Sequence, residues 1–256
     1  MTSTQGARGQ LCNHIIRNMA VSVIAKKHNL RTMYSYENEC NELGIELHHG
    51  PNKYNQTKGV TDEQVLELMT KTKRLRYNLI VKETYCQTQE ITDILFKELR
   101  LNMTNIMDKN PYKERYENNN DLFLHIRLTD AKNFNKGIDY YTHCINNIKH
   151  DVLYIATDDF NDEMIMNIRD LYPEAKLVEK NPVQTIQFGS TCKYITLSHG
   201  TFSAVIGYLG FFSTVYYPKH NVGDTGWCPM GIFENKGWTC IDVLPASPPD
   251  NEKNEC

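Results

Sequence analysis

Short apolar segments alternate with helix-like segments in the second half of the chain, and this alternation constrains the fold more than any other feature. Strands that are each followed by a helix predict a parallel sheet with helices on both faces. The predicted strands cover residues 122–126, 152–156, 194–197 and 215–217, and the predicted helices cover 138–149, 164–171 and a segment that begins at Phe202. The sequence therefore predicts an α/β fold.

Polar residues directly follow three of these predicted strands. They lie at residues 127–130, 157–159 and 198–203. The carboxyl ends of parallel strands meet at one edge of a sheet, and ligands bind at that edge. We therefore expect the three polar clusters to form one binding site.

The first half of the chain carries a separate set of helix signals. Apolar residues recur at helical spacing over residues 15–28, and Thr61 with Gln64 three residues later predicts a capping box. The capping box predicts a helix over residues 62–76, and the pattern further predicts a strand over 77–82 and a helix over 91–107.

The polar segment 111–120, which ends in three asparagines, is typical of a linker. It divides the chain into an N-terminal half, residues 1–115, and a C-terminal half, residues 119–243. The remaining residues, 244–256, are rich in proline and charge, which predicts a flexible tail.

The first polar cluster covers residues 127–130. An arginine just past a strand end, such as Arg127, can hold a diphosphate through charge-assisted hydrogen bonds. His125 lies two residues earlier and projects to the same side of the strand. Asp130 can fix the arginine or accept a hydrogen bond from a sugar hydroxyl. The alternative is a surface arginine beside a satisfied core histidine, and the spacing alone does not decide between them.

The other two clusters also have two interpretations each. Asp158 and Asp159 follow a predicted strand, where helix capping is favoured over hydroxyl binding or general-base catalysis. Ser198, Thr201 and Ser203 join a strand to a helix start, where amides and hydroxyls bind anions or simply cap the helix.

A glycine-containing loop, residues 6–9, leads into the first helix. Because no strand of useful length is predicted before it, a plain loop-to-helix start is favoured over a phosphate-binding loop. Asn13 and His14 lie in the first turn of this helix and can face a cleft.

Several function classes are disfavoured by the sequence. The net charge of −3 argues against binding nucleic acid. The eight cysteines are scattered singly, so a structural metal is not expected, and no phosphate-loop or nucleophile-elbow motif occurs. The N-terminus lacks an export signal, and no apolar stretch is long enough to cross a bilayer, which predicts a cytoplasmic protein without a transmembrane segment.

Taken in order, the motifs resemble those of the alpha-1,2-fucosyltransferases and of the related alpha-1,6- and protein O-fucosyltransferases. His125-Ile126-Arg127 resembles the central H-x-R motif of that family, and Leu128-Thr129-Asp130 resembles its R-T-D segment. The other matching segments are Gly9 to His14, Tyr85-Cys86-Gln87, Tyr140-Tyr141, Ala156 to Asp159 and Ser198 to Ser203. These matches run in the family's order over residues 6–240.

The resemblance implies two Rossmann-like halves that face a central cleft, a GT-B-like fold. It implies a metal-independent inverting glycosyltransferase that uses a nucleotide sugar, typically GDP-fucose, and an oligosaccharide acceptor, with no other cofactor. The implied donor-binding residues are His125, Arg127, Asp158, Asp159, Ser198, Thr201, Phe202 and Ser203. Gly9, Asn13 and His14 are expected near the cleft on the acceptor side, and Arg127, Asp130 and Asp139 are the candidate catalytic residues.

Two departures from the family pattern leave alternatives open. Leu128 stands where the family commonly has a second arginine, and Ala204-Val205 replaces a pair of tryptophans. The alternatives are a glycosyltransferase of the same fold with a different nucleotide sugar, or a non-catalytic relative that binds a glycan or a nucleotide.

Overall fold

The structure is a computed structural model that describes residues 1–71, 74–130, 132–219 and 230–243. The first half contains a parallel sheet of four strands, ordered β2-β1-β4-β3. Its strands are β1 (Thr2–Ser3), β2 (Thr32–Met33), β3 (Thr57–Gly59) and β4 (Asn78–Ile80). The helices that accompany it are α1 (Leu11–His28), α2 (Glu37–Glu42), α3 (Asp62–Thr70), α4 (Gln89–Leu101) and α5 (Met103–Lys109).

The second half contains a parallel sheet of six strands, ordered β10-β9-β8-β5-β6-β7. Its strands are β5 (Leu122–Ile126), β6 (Leu153–Thr157), β7 (Lys176–Leu177), β8 (Tyr194–Thr196), β9 (Thr214–Pro218) and β10 (Thr239–Ile241). Its helices are α6 (Ile138–Asn147), α7 (Glu163–Leu171), α8 (Pro182–Gly189) and α9 (Thr201–Leu209).

Strand β5 separates two apolar clusters because its side chains alternate between the faces of the sheet. Leu122, Leu124 and Ile126 belong to a cluster that includes residues of α6 and α7. Phe123 belongs to a larger cluster that also contains buried residues of α1, α4 and α9. The core of the first half therefore continues into one face of the second sheet.

Each sheet has a point where the direction of strand addition reverses. In the first sheet the reversal lies between β1 and β4, and in the second sheet it lies between β5 and β8. Loops at the carboxyl ends of the strands diverge at such a point and leave a crevice for ligands. The two reversal points face each other, because Asn13 in α1 and Thr201 in α9 are 3.5 Å apart between Oδ1 and Oγ1. The fold-class prediction, α/β with two halves in a GT-B-like arrangement, is confirmed.

The elements predicted for the second half are confirmed within a few residues. The capping box is also present, with Thr61 Oγ1 accepting from the amide of Gln64 and the Gln64 side chain accepting from the amide of Thr61. Helix α3 ends at Thr70, short of the predicted residue 76. The helix predicted over 91–107 is two helices, because the Asn102 amide group donates to the Glu98 carbonyl and closes α4.

Strand β1 precedes the loop at residues 6–9 and has only two residues, as expected where no strand of useful length was predicted. The segment 111–120 is a folded connection, because Tyr116 is buried and Arg115 forms a 2.7 Å ion pair with Asp121. The domain boundaries at 115 and 119 stay a prediction, and the predicted flexible tail lies outside the described residues.

The six cysteines in the described part of the chain are unpaired, and five of them are buried. No helix in the described ranges combines the length and apolar character that crossing a membrane would require.

Candidate functional site

A cavity of about 480 Å³ lies between the two reversal points. Its walls come from both halves of the chain. The first half contributes Gly9, Gln10, Leu11, Cys12, Asn13 and Tyr36, and the second half contributes His125, Arg127, Ala156, Thr157, Asp158, Phe160, Val178, Lys180, Pro182, Thr185, Thr201 and Phe202. The cavity therefore occupies the crevice that the parallel-sheet topology predicts.

Arg127 follows β5 directly, and its side chain is mostly buried in the cavity wall. Its Nη2 donates to both carboxylate oxygens of Asp130, at 2.7 and 2.9 Å, and its Nε donates to Oδ1 at 3.1 Å. A methyl group on Gly200 would lie 2.7 Å from Nη1, so the guanidinium also packs closely against the turn before α9. Asp130 orients the arginine and does not itself line the cavity.

Asp158, at the end of β6, holds the loop that carries Arg127. Its carboxylate accepts from the amide of Leu128 at 2.7 Å, and from the hydroxyl and amide of Thr129 at 2.6 and 3.3 Å. Partial burial favours a higher pKa for Asp158, but these hydrogen bonds outweigh it, and the pKa lies below its ordinary value. The carboxylate faces the cavity and is already engaged by three donors.

Asp159 has a local role, since its Oδ1 accepts from the amide of Asn161 at 3.0 Å. It is not among the residues that line the cavity. Helix capping, the favoured interpretation of the cluster at residues 157–159, is wrong for Asp158 and Asp159, because α7 begins with Asp162 as its cap.

His125 lines the cavity and is hydrogen-bonded behind it. Its Nδ1 is 2.6 Å from Ser203 Oγ, which also accepts from the amide of Ser198 at 3.1 Å. Its ring packs on Phe202 with centroids 4.9 Å apart. Burial lowers the pKa of His125 to about 3, so the imidazole is neutral at physiological pH.

Ser198 and Ser203 lie behind the cavity wall, where both are buried. The Ser198 hydroxyl accepts from the Arg127 amide at 3.3 Å and from the Tyr141 hydroxyl at 3.0 Å. These two serines therefore position His125 and Arg127 and do not face the cavity themselves. Thr201 and Phe202, in the first turn of α9, do line it.

On the first-half side, Gly9 and Asn13 line the cavity, while His14 lies just behind them. The Nε2 of His14 is 3.1 Å from the Gly9 carbonyl oxygen, and its ring lies 4.6 Å from that of Tyr36. Burial, with the nearby charge of Arg17, lowers the pKa of His14. Asn13 accepts from the Gln87 side chain at 2.7 Å, which joins α1 to the loop after β4.

Asp139 is an exposed residue in the first turn of α6 and is not among the cavity-lining residues. Other cavity-lining residues were not predicted from the sequence, among them Tyr36, Phe160, Lys180 and Thr185. The pair Asn181-Pro182 was the available signal for this wall, since Asn181 caps α8 and Pro182 occupies its first turn.

Across the described residues, no three His, Cys, Asp or Glu side chains are grouped so that they could hold a metal ion. Burial strongly raises the pKa of the Cys12 thiol in the cavity wall, so this thiol is neutral. Metal independence stays a prediction.

No protein-family model and no curated protein matches the sequence. Among solved structures the chain is similar to NodZ alpha-1,6-fucosyltransferase soaked with GDP-fucose, at 12% identity and a TM-score of 0.36, over 58% of this chain and 57% of that chain. The same enzyme co-crystallised with GDP matches at 13% identity and 0.36, over 60% and 58%. NodZ from Bradyrhizobium with selenomethionine matches at 14% and 0.37, over 60% and 58%. The match spans less than three fifths of the length of each NodZ chain.

Proposed function

We propose that the protein is a glycosyltransferase that takes a sugar from a nucleotide sugar, with GDP-fucose as the first candidate, and transfers it to a glycan hydroxyl. One observation carries this proposal. Arg127 and the first turn of α9 converge on one cavity at the reversal point of the second sheet, and the first half closes the cavity from the other side. The ordered sequence motifs support the same function.

The proposed reaction is a direct displacement. The acceptor oxygen bonds to the anomeric carbon while the bond from that carbon to the diphosphate oxygen breaks. The electron pair leaves on the diphosphate, and the hydroxyl proton passes to a base. Arg127 and the amides that begin α9 would stabilise the negative charge that develops on the diphosphate.

His125 would contribute as a neutral group. Its low pKa means that the imidazole carries no positive charge, and its Nδ1 is hydrogen-bonded to Ser203. It can therefore hydrogen-bond the donor through its other ring nitrogen, while Arg127 supplies the charge. Lys180 is the second cationic side chain among the described residues that line the cavity.

The identity of the donor sugar belongs to this proposal as well. Leu128, which replaces the family's second arginine, is buried in the apolar cluster on the far face of the sheet. Residue 128 therefore points away from the cavity and supplies no positive charge to it. A different nucleotide sugar stays the alternative donor for this reason.

A second candidate function is a non-catalytic binding protein. It is favoured because the carboxylates near the cavity are already hydrogen-bonded, ion-paired or outside the cavity wall. Within the described part of the chain, Asp158 is the one carboxylate that lines the cavity, and three donors already engage it. Asp130 is paired with Arg127, and Asp139 lies outside the cavity wall. Asp130 and Asp139 stay the catalytic-base candidates of the first proposal.

A turnover assay separates these functions. The protein is incubated with a panel of nucleotide sugars and glycan acceptors, and release of the nucleoside diphosphate is measured. We expect release with one donor class, and loss of at least a hundredfold in rate for Arg127→Ala, since Arg127 acts on the developing charge. The matched control is Arg169→Ala, at an exposed arginine in the last turn of α7.

Nucleotide binding without any diphosphate release would favour the non-catalytic function. A rate for Arg127→Ala close to that of the wild type would show that the proposed mechanism is wrong.

A further inference from the structure

Helix α1 buries polar side chains along the face that points toward the cleft. His14, Arg17 and Asn18 are all at least nine-tenths buried, and their spacing of three and four residues places them on one side of the helix. Burying a polar side chain costs the hydrogen bonds it makes with water, and most buried polar groups replace those bonds with protein partners. The face therefore has a purpose other than apolar packing.

These side chains hold the three loops that leave the carboxyl ends of β1, β2 and β4. His14 contacts the Gly9 carbonyl, and Arg17 Nε donates to the Thr84 carbonyl at 2.8 Å. The Asn18 amide group donates to the Ser35 carbonyl. The loops on the acceptor side of the cleft are thus fixed from below by one helix.

Two of these loops each present an exposed tyrosine ring above that face. Tyr36 and Tyr85 are 43% and 42% exposed. Tyr36 lies against His14, and the Arg17 guanidinium carbon lies 5.4 Å from the centroid of the Tyr85 ring. His14 and Arg17 are about 4.5 Å apart along the helix axis. The two rings are therefore backed by neighbouring positions of one helix face.

The backbone around both rings is held in an unusual conformation. Tyr36 has φ 52°, and Cys86, next to Tyr85, has φ 57°. Residues other than glycine rarely occupy this left-handed region, and such residues cluster at ligand-binding sites.

The polar groups beneath the rings are also incompletely paired. His14 Nδ1 and Arg17 Nη1 are buried and have no hydrogen-bond partner within the described ranges. Both atoms are inaccessible beneath the tyrosines, so the exposed rings are the groups that a ligand over this face would meet.

We propose that Tyr36 and Tyr85 form a stacking surface for the acceptor saccharide, an inference that rests on the proposed glycosyltransferase function. A pyranose ring offers an apolar face that packs on a flat aromatic ring, and tyrosine supplies such area with little loss of conformational freedom. Tyr36 lines the cavity, so it binds the sugar unit that carries the accepting hydroxyl. Tyr85 lies outside the cavity lining and binds the next unit outward.

The test measures saccharide binding by saturation-transfer NMR, with GDP present. The probes are monosaccharides and disaccharides that end in glucosyl, galactosyl or N-acetylglucosaminyl units. For a saccharide that binds, Tyr36→Ala is expected to weaken the affinity at least tenfold, and Tyr36→Phe to retain it within about threefold. Tyr85→Ala is expected to weaken binding of the disaccharide and not of the monosaccharide.

The control is Phe212→Ala, at an aromatic residue that is 40% exposed on the loop before β9, at the opposite end of the sheet. Melting temperatures confirm that the variants fold. GDP affinity is measured on the same samples, so a failure to bind GDP counts against a GDP-sugar as the donor and not against the stacking surface. Binding of GDP without any saccharide, or unchanged saccharide affinity in Tyr36→Ala, would overturn the stacking surface.

Discussion

His125 shows how burial sets the charge of a site residue. Its pKa is lowered to about 3 by burial, whereas the ordinary value is 6.5. The unfolded chain binds a proton at this residue below pH 6.5, while the folded chain does so only near pH 3. The stability that the neutral imidazole contributes is therefore fully present above pH 6.5 and is lost as the pH falls toward 3.

We predict that His125→Gln flattens the dependence of the unfolding free energy on pH within this window. The wild-type curve should be steeper by up to about 1.4 kcal/mol per pH unit, which corresponds to one proton. Urea unfolding at a series of pH values measures the difference. His14 and His48, whose pKa values are also lowered, contribute to both proteins equally. Parallel curves would show that His125 titrates normally.

At the same scale, the sequence predicted the direction of side chains better than their partners. The two-residue period of a strand was enough to place His125 and Arg127 on one face, and both line the cavity. The role of Asp158 depends on a loop distant in sequence, because its partners are Leu128 and Thr129. Such contacts leave no periodic signal in the chain.

Gly200, the residue before helix α9, connects the helix to the candidate diphosphate-binding arginine. It has φ 87°, and a methyl group added there would meet Arg127 Nη1 at 2.7 Å. Gly137, the residue before α6, has a similar φ of 80° and no atom within 4 Å of an added methyl group. An alanine at either position strains the backbone, but only an alanine at position 200 also displaces Arg127. Comparing the two variants therefore separates these two effects.

We predict that Gly200→Ala and Gly137→Ala each destabilise the protein by about 1–2 kcal/mol, since both place a side chain in the left-handed region. Only Gly200→Ala should also weaken nucleotide binding, by at least tenfold, because it moves the guanidinium. Thermal unfolding and nucleotide titration of both variants measure these effects. Equal nucleotide affinity in the two variants would mean that Arg127 does not contact the nucleotide.

Among the strands, the longer ones were predicted from the sequence more accurately than the short ones. Strand β5 has five buried residues and was predicted with its observed bounds. Strands β1, β2 and β7 have two residues each, too few to show any period, and they form only because neighbouring strands pair with them. Helix α8 was missed even though Asn181 and Pro182 carry its start signal.

The whole molecule is held together by a continuous core and by polar contacts between its halves. One apolar cluster contains residues of α1 and α4 as well as β5 and α9. Arg100 in α4 donates to the Phe211 carbonyl at 2.7 Å, and the buried Lys236 forms an ion pair with Asp93 in α4. The polar linker-like segment 111–120 did not reveal this coupling, because the contacts are long-range.

We predict a single calorimetric unfolding transition for both halves, since neither half keeps an intact core without the other. The ratio of the calorimetric to the van't Hoff enthalpy should be close to one. Adding GDP should shift the whole transition to higher temperature. Two separate transitions, of which GDP moves only one, would show that the halves are independent.

Calorimetric titration of GDP into the wild type, Arg127→Ala and Arg169→Ala tests the central claim most directly, because it measures whether the cavity between the sheets binds a nucleoside diphosphate. We predict one site in the wild type, unchanged affinity in Arg169→Ala, and at least tenfold weaker binding in Arg127→Ala, or about 1.4 kcal/mol. Affinity in Arg127→Ala equal to that of the wild type, or no binding of GDP or any other nucleoside diphosphate, would contradict the assignment of this cavity.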